Sequence, residues 1–413
     1  MKQLLPFQEA GVNFLSNRYH AALGDEPGLG KTVQAIHAAH RVAARNVLVT
    51  CPASVRTNWL AHVEEHFGHI RGWDIISYEG AVAGKARRDQ YDVWIGDETH
   101  FCKTPDSART RAIFGRDGLA RKATFKWCLS GTFAPNGRPV ELYPMLATLC
   151  SSFAGCSYVE YTRLYCGAFF DGHGMNVKGA TRIAELKTRI GDFILRRTKR
   201  EVFPGRKAPL ISTVALDLSE ADLKEVRGEE NAIGARPARI SGRFEDFSQL
   251  GDTSKLLRLL GSAMLPGGIQ FIDDLLSSRN KVVVFARHLV VMKELEYRYP
   301  TASVYQGGMT DLQKLAAVSR FKSESSCRVF IGQRQAAGTG INGLQDVCST
   351  AVIFEPSWVP GETEQLVDRL DRMGQLDDIV TVYILYARRT LSEIVVKIHE
   401  RKSSIGAQLL GGE

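Results

Sequence analysis

The stretch "GDEPGLGKT", Gly24 to Thr32, places glycines beside a lysine and a threonine. In such a loop the glycines let backbone N–H groups face phosphate oxygens. The lysine reaches the outer phosphates and the hydroxyl holds Mg²⁺. Gly28, Gly30, Lys31 and Thr32 supply those parts, with Leu29 between the glycines. The strict spacing wants a glycine where Asp25 stands, so the loop is irregular.

A second constellation is "VWIGDETH", an apolar run that delivers Asp97 and Glu98 together. In a parallel sheet, ligands collect at the carboxyl ends of strands, so a strand ending in two acids belongs there. One carboxylate can hold Mg²⁺ while its neighbour orients and deprotonates an attacking water. The third constellation lies far away in "EQLVDRLDRMGQ", which puts Arg369 and Arg372 three apart on one expected helical face. Arginines of this kind stabilise charge on a transferring phosphoryl group. Hydrolysis would then require two lobes to close on ATP.

These residues need elements to hold them. "TVQAIHAAHRVAA" reads as the helix opened by the glycine loop. "NVLVTCP", "YDVWIGDE" and "KWCLSGT" read as buried strands followed by helices, and the pattern returns in "KVVVFA", "CRVFIG", "TAVIFEP" and "TVYILYA". The reading is an α/β protein of two parallel-sheet lobes with helical insertions. Lobe one spans residues 1–200 with a helical insertion from about 140, a brace or linker spans 201–254, and lobe two spans 255–413. Within the linker, Ser219 to Thr253 is charged and poor in apolar anchors, as a mobile or loosely packed segment would be.

Composition sets bounds. The 413 residues exceed what one core serves, and 44% hydrophobic with 24% charged residues is ordinary globular chemistry. The net charge of +8 suits a phosphate-backbone partner without requiring one. Eight cysteines show no CxxC pair, and Cys150, Cys156, Cys166 and His173 match no common zinc spacing, so reduced thiols are expected. The start lacks a signal-peptide core and no apolar run reaches membrane-spanning length, which leads us to expect a cytoplasmic protein of a bacterial or phage-infected host, or a nuclear one if the source is eukaryotic.

The order of motifs resembles the superfamily-two helicase-like ATPases of the Swi/Snf group. "GDEPGLGKT" resembles that group's ADEMGLGKT, which also lacks the first glycine, so Asp25 is a group trait and Pro27 for Met a local departure. "LLPFQEAGVNFL" is similar to the upstream adenine-reading segment, with Gln8 in the glutamine's place. "DETH" stands for DEAH or DESH, "LSGTFAPN" resembles LTGTPxxN, and "FILRRTKREVFPG" resembles the FMLRRxKxxVxxxLP brace. "AAGTGIN" and "QLVDRLDRMGQ" resemble the last two segments. "DETHFCKTPDSARTRA" and "SGTFAPNGRPVELYPML" are similar to the annealing-helicase, HepA-related branch.

The resemblance implies two RecA-like lobes and a DNA-dependent ATP hydrolase that moves along double-stranded or branched DNA as a monomer. It implies Gln8 and Gly340 at the nucleotide, and Ser130, Thr132 and Gln365 coupling nucleotide state to DNA. Ser54, Arg56, Lys103 and Thr339 are the expected backbone contacts, with Arg109, Arg111 and Arg116 behind them. "RRTKR", Arg196 to Arg200, is expected to brace structure. The alternatives are a strand-separating DNA or RNA helicase and a non-hydrolysing clamp that only binds nucleotide.

Overall fold

Short runs of β-branched and apolar residues that are hidden on both faces must lie inside a parallel sheet covered by helices. The structure is a computed structural model that describes residues 3–172, 174–233, 253–357, 360–372, 374–375 and 377–397. It divides into two compact units, with the change at Gly205–Arg206.

In unit 1 the strands are β1 (His20–Leu23), β2 (Val47–Cys51), β3 (Trp73–Ser77), β4 (Tyr91–Asp97) and β5 (Ala123–Leu129). An outlying exposed hairpin is formed by β6 (Phe169–Phe170) and β7 (Met175–Asn176), and β8 (Ile194–Leu195) completes the main sheet. That sheet runs β3-β2-β4-β5-β1-β8, every pair parallel. Alternation along β4 sends Val93 and Ile95 to one core and Trp94 to the other. Helices Tyr143–Leu149, Tyr158–Tyr165 and Ile183–Ile190 lie between β5 and β8, so the expected helical insertion belongs to this unit.

Unit 2 repeats the plan with β9 (Leu210–Leu216), β10 (Val282–Ala286), β11 (Ser303–Tyr305), β12 (Val329–Gln333), β13 (Thr350–Ile353) and β14 (Thr381–Ala387). The order is β11-β12-β10-β13-β14-β9, again wholly parallel. Val283 and Phe285 face one core, and Val282, Val284 and Ala286 the other. The expected architecture of two parallel-sheet α/β lobes is the one observed.

The segment read as linker contributes more order than its composition suggests. β9 pairs with β14 over seven residues, and a helix over Glu220–Ala232 follows, capped by the Ser219 hydroxyl accepting from the Asp222 N–H. An edge strand buries only part of its surface, so alternation is weak and its apolar signal thin. The rest of the segment, 234–252, lies outside the described residues.

All eight cysteines are free thiols, seven buried and Cys156 partly exposed. Among the described residues no helix is long and apolar enough to cross a membrane.

Candidate active site

Four adjacent strands of unit 1 end level with one another. Asp97 is in register with Leu129, Leu129 with Leu23, and Leu23 with Leu195. The residues just past these strands therefore emerge along one edge: Glu98 after β4, Ser130 after β5, the glycine loop after β1 and Arg196–Arg197 after β8. A parallel sheet concentrates its ligand-binding loops at this edge.

The loop after β1 leads into α2 (Lys31–Arg41). Gly28 and Gly30 have φ of 91° and 75°, a region costly for residues with a side chain. A Cβ on Gly30 would also lie 2.6 Å from Gln8 Nε2. Gln8, on α1 (Pro6–Ser16), is buried against the loop and donates to the Leu29 carbonyl at 3.4 Å. Its Oε1 accepts from the Leu5 N–H. Lys31 Nζ folds back onto the Asp25 carbonyl at 2.6 Å. Thr32 is half-buried in the first turn of α2.

Asp25 itself explains the irregular spacing. It is fully buried, and Arg197 grips it with Nε to Oδ1 at 2.9 Å and Nη2 to Oδ2 at 2.5 Å. Gln34 donates to Oδ2 at 3.1 Å and also to the Leu29 carbonyl at 3.0 Å. Arg197 further donates to the Phe7 carbonyl and to Gln34 Oε1. The backbone joins in, since the Gly24 N–H donates to the Leu195 carbonyl and the Glu26 N–H to the Arg197 carbonyl. A carboxylate at this place therefore ties the loop to the strand beside it through a forked ion pair. A glycine there would lose that tie.

Asp97 ends β4 buried, its Oδ2 accepting from Trp59 Nε1 at 2.7 Å and its Oδ1 from the Glu98 N–H at 3.0 Å. Burial, with the Glu98 carboxylate beside it, pushes the Asp97 carboxyl up to about 6, while Trp59 and Lys31 pull the other way. Glu98 adopts φ 51°, ψ 52°, unusual for a residue with a side chain, and this turn aims its carboxylate back over the sheet edge. Ser130 Oγ donates to Glu98 Oε2 at 3.3 Å, and His100 Nδ1 lies 3.3 Å from the same oxygen and 3.0 Å from Ser130 Oγ. Ser130 Oγ also accepts the half-buried Thr132's N–H at 3.1 Å.

In unit 2 the expected helix stops early. It runs Pro360–Val367, and Arg369 and Arg372 lie in the turns beyond its end. Asp371 is drawn to Arg206, which donates to it at 3.0 and 2.5 Å and to the Arg372 carbonyl at 2.9 Å, and Gly374 takes φ 94°. These contacts pull the chain out of helical form, correcting the single-face expectation. The guanidiniums meet all the same, each donating to the Ile341 carbonyl at 3.4 Å. Arg369 Nε also bonds the carbonyl of half-buried Gln365 at 3.1 Å. Arg372 donates otherwise to the Asp368 carbonyl at 2.6 Å and Asn342 Oδ1 at 3.4 Å, and the Asp368 charge favours its cationic form. Desolvation and the adjacent Arg369 push it down to about 9.

Residues 7–95 match the SNF2-related domain, and residues 267–374 match the helicase conserved C-terminal domain. The chain thus carries an SNF2-related domain followed by a helicase C-terminal domain. It is 27% identical over 447 residues to the mouse (Mus musculus) "DNA annealing helicase and endonuclease ZRANB3", covering 99% of this chain and 41% of that protein. It is 29% identical over 437 residues to a bovine (Bos taurus) "SWI/SNF-related matrix-associated actin-dependent regulator of chromatin subfamily A-like protein 1", covering 98% and 44%. The chain thus spans about two-fifths of the length of these relatives. A solved "Sulfolobus solfataricus SWI2/SNF2 ATPase core in complex with dsDNA" aligns with TM-score 0.45 and 19% identity, covering 100% of this chain and 94% of that one.

The structure brings Gln8, Gly28, Leu29, Gly30, Lys31, Thr32, Asp97, Glu98, Ser130 and Thr132 to one edge of unit 1, and Gln365, Arg369 and Arg372 together in unit 2. Thr339 and Gly340 end a helix over Arg334–Gly340. Ser54 and Arg56 are both exposed on the turn entering α3 (Arg56–Phe67). Lys103 lies 3.5 Å from Glu141, Arg109 pairs with Glu79 at 2.8 Å, and Arg111 donates to the Asp106 carbonyl.

Sequence reasoning missed Trp59, Gln34 and His100, and the Arg206–Asp371 pair. Nothing in their spacing marks them, because their partners lie 9 to 165 residues away or are reached only through the turns.

Proposed function

We propose that this chain is a DNA-dependent ATP hydrolase that tracks along double-stranded DNA and remodels branched DNA or protein–DNA complexes. The observation that carries the reading is the level edge of unit 1, where Lys31, Asp97, Glu98 and Ser130 leave strands in register. The printed names of the relatives, a DNA annealing helicase and a SWI/SNF-related regulator of chromatin, and the net charge of +8 support DNA as the partner.

ATP would lie with its phosphates on the backbone N–H groups between Gly28 and Thr32, at the positive end of α2. Lys31 would exchange the Asp25 carbonyl for phosphate oxygens, and Gln8, already against the loop, would read the adenine. The oxygen donors Thr32 and Asp97 fit a hard divalent cation, whose charge would offset the burial and the Glu98 repulsion that raise Asp97. When bound, Mg²⁺ neutralises charge on the phosphates.

Glu98 would orient the attacking water and take its proton as the water oxygen bonds the γ-phosphorus and the bond to the ADP oxygen breaks. Arg369 and Arg372 would stabilise charge on the transferring group. Ser130 touches Glu98 and anchors Thr132, so these two, with Gln365, are proposed to relay nucleotide state toward DNA. Ser54, Arg56, Lys103 and Thr339 are the proposed backbone contacts, giving sequence-tolerant, salt-sensitive binding.

The test is ATP turnover of the purified chain against duplex, forked and single-stranded DNA and RNA at fixed salt. Turnover should be low alone and rise strongly with duplex or forked DNA, and Lys31→Ala should abolish it. Preferential stimulation by RNA, or efficient unwinding of a forked duplex, would overturn the reading.

A further inference from the structure

Outside the sheet edge, α3 carries His62, Glu65 and His66 at positions i, i+3 and i+4, which stack on one helical face. One ligand atom from each lies within 4.8 Å of the others, and His62 Nδ1 is 3.7 Å from Glu65 Oε2. Ligand atoms bound tetrahedrally at about 2.0–2.1 Å stand roughly 3.4 Å apart, so only small side-chain rotations separate this arrangement from a chelate. The rotations fall on His62 and Glu65, whose side chains are 43% and 40% exposed and can move.

His66 is the fixed member. It is buried, and its Nδ1 lies 3.0 Å from Nε2 of His37 on α2, the rings meeting edge to face. A metal-binding imidazole characteristically donates its second ring N–H to a neighbour that sets its tautomer. A His66 Nδ1–H donated to His37 Nε2 leaves His66 Nε2 to meet a metal. Glu65 and His66 also line an open surface groove with His40 and His69, so water and ions reach the site.

We propose that His62, Glu65 and His66 form a binding site for a borderline-soft divalent transition metal, Zn²⁺ in type. His37 is the positioning residue and a water completes the coordination. Two imidazoles and one carboxylate select against Mg²⁺, which prefers oxygen donors in an octahedron. The site is thereby distinct in chemistry from the one proposed at Thr32 and Asp97. Trp59, on the same helix, donates to Asp97, so a metal clamped across the last turns of α3 would stiffen the helix that carries that bond.

The test is titration of the whole purified chain with Co²⁺, read by visible absorption, followed by displacement with Zn²⁺ and by thermal shift. None of these readouts needs ATP turnover, so the outcome is independent of the proposed activity. One equivalent of Co²⁺ should bind with the absorption of a four-coordinate site, resist millimolar Mg²⁺, and raise the melting temperature. His62→Ala changes only a half-exposed side chain and should weaken binding at least tenfold, and Glu65→Gln should weaken it several-fold. Unchanged binding in His62→Ala would assign the metal to other groups such as thiols and overturn the proposal, as would the lack of a stoichiometric Co²⁺ complex in the parent chain.

Discussion

Arg197 in unit 1 and Arg372 in unit 2 both donate to backbone carbonyls, yet their electrostatic settings differ. Arg197 closes a forked pair on a fully buried carboxylate, and both oxygens of Asp25 are met by it or by Gln34. Among the described residues the hydrogen bonds of Arg372 go to neutral oxygens, and the Arg369 guanidinium outweighs Asp368 as its charged neighbour. A compensated pair holds backbone in place. A cation crowded by its own kind gains most from an anion that arrives and leaves. The contrast separates arginines that shape the phosphate loop from those suited to act on phosphate.

The largest effect expected from this contrast is at Arg372. Arg372→Ala should lower DNA-stimulated turnover by roughly 10³-fold or more, with ATP binding retained. Its melting temperature should hold or rise, because a like-charge contact with Arg369 is relieved. Wild-type turnover in that variant would erase the distinction between the two arginines.

Arg197→Ala should act on stability first. It strands Asp25 as a buried, unpaired charge, a change that costs about 3–5 kcal/mol. The Asp25→Ala/Arg197→Ala double variant should recover part of that loss, which urea denaturation can measure. If the single and double variants unfold alike, Asp25 is not the reason Arg197 matters.

A smaller effect is expected at Ser130. Ser130→Ala removes a hydrogen bond to Glu98 and the anchor of the Thr132 N–H, together about 1–1.5 kcal/mol and so roughly a tenfold loss of turnover. The loss should be greater with DNA than without, as steady-state assays would reveal.

The smallest effect concerns pH. The folded value of Asp97, about 6, lies above its ordinary 3.8, so ionising it in place weakens the nucleotide-free protein progressively as pH rises through that window. Below pH 6 the carboxyl is mostly protonated, so Mg–ATP binding should expel a proton and weaken as pH falls. Calorimetry in two buffers of different ionisation enthalpy reads that proton directly.

How much of this is legible in the sequence depends on the range of each interaction. The glycine loop and the strand ending in Asp97–Glu98 announce themselves because loop chemistry and strand burial are local. Gly28 and Gly30 take the positive φ that only glycine adopts cheaply. The arginine pair is visible as residues but not as geometry, since the Arg206–Asp371 bond that helps unwind the helix joins positions 165 apart. β9 reads as linker for the same reason: its partner β14 lies far along the chain, and much of its own surface faces outward. Asp25 stands out as irregular, but its purpose depends on Arg197, 172 residues away.

That last separation has a consequence for biosynthesis. The edge strand Ile194–Leu195 and Arg197 emerge from the ribosome long after the loop they hold, so an early nascent chain carries Asp25 with its main counter-ion still unmade. The proposed nucleotide pocket must therefore ripen late, after most of its own sheet, through a contact of high sequence separation that forms slowly. Fragments ending before Phe193 would retain every glycine-loop residue and still lack the strand and guanidinium that give the loop its shape.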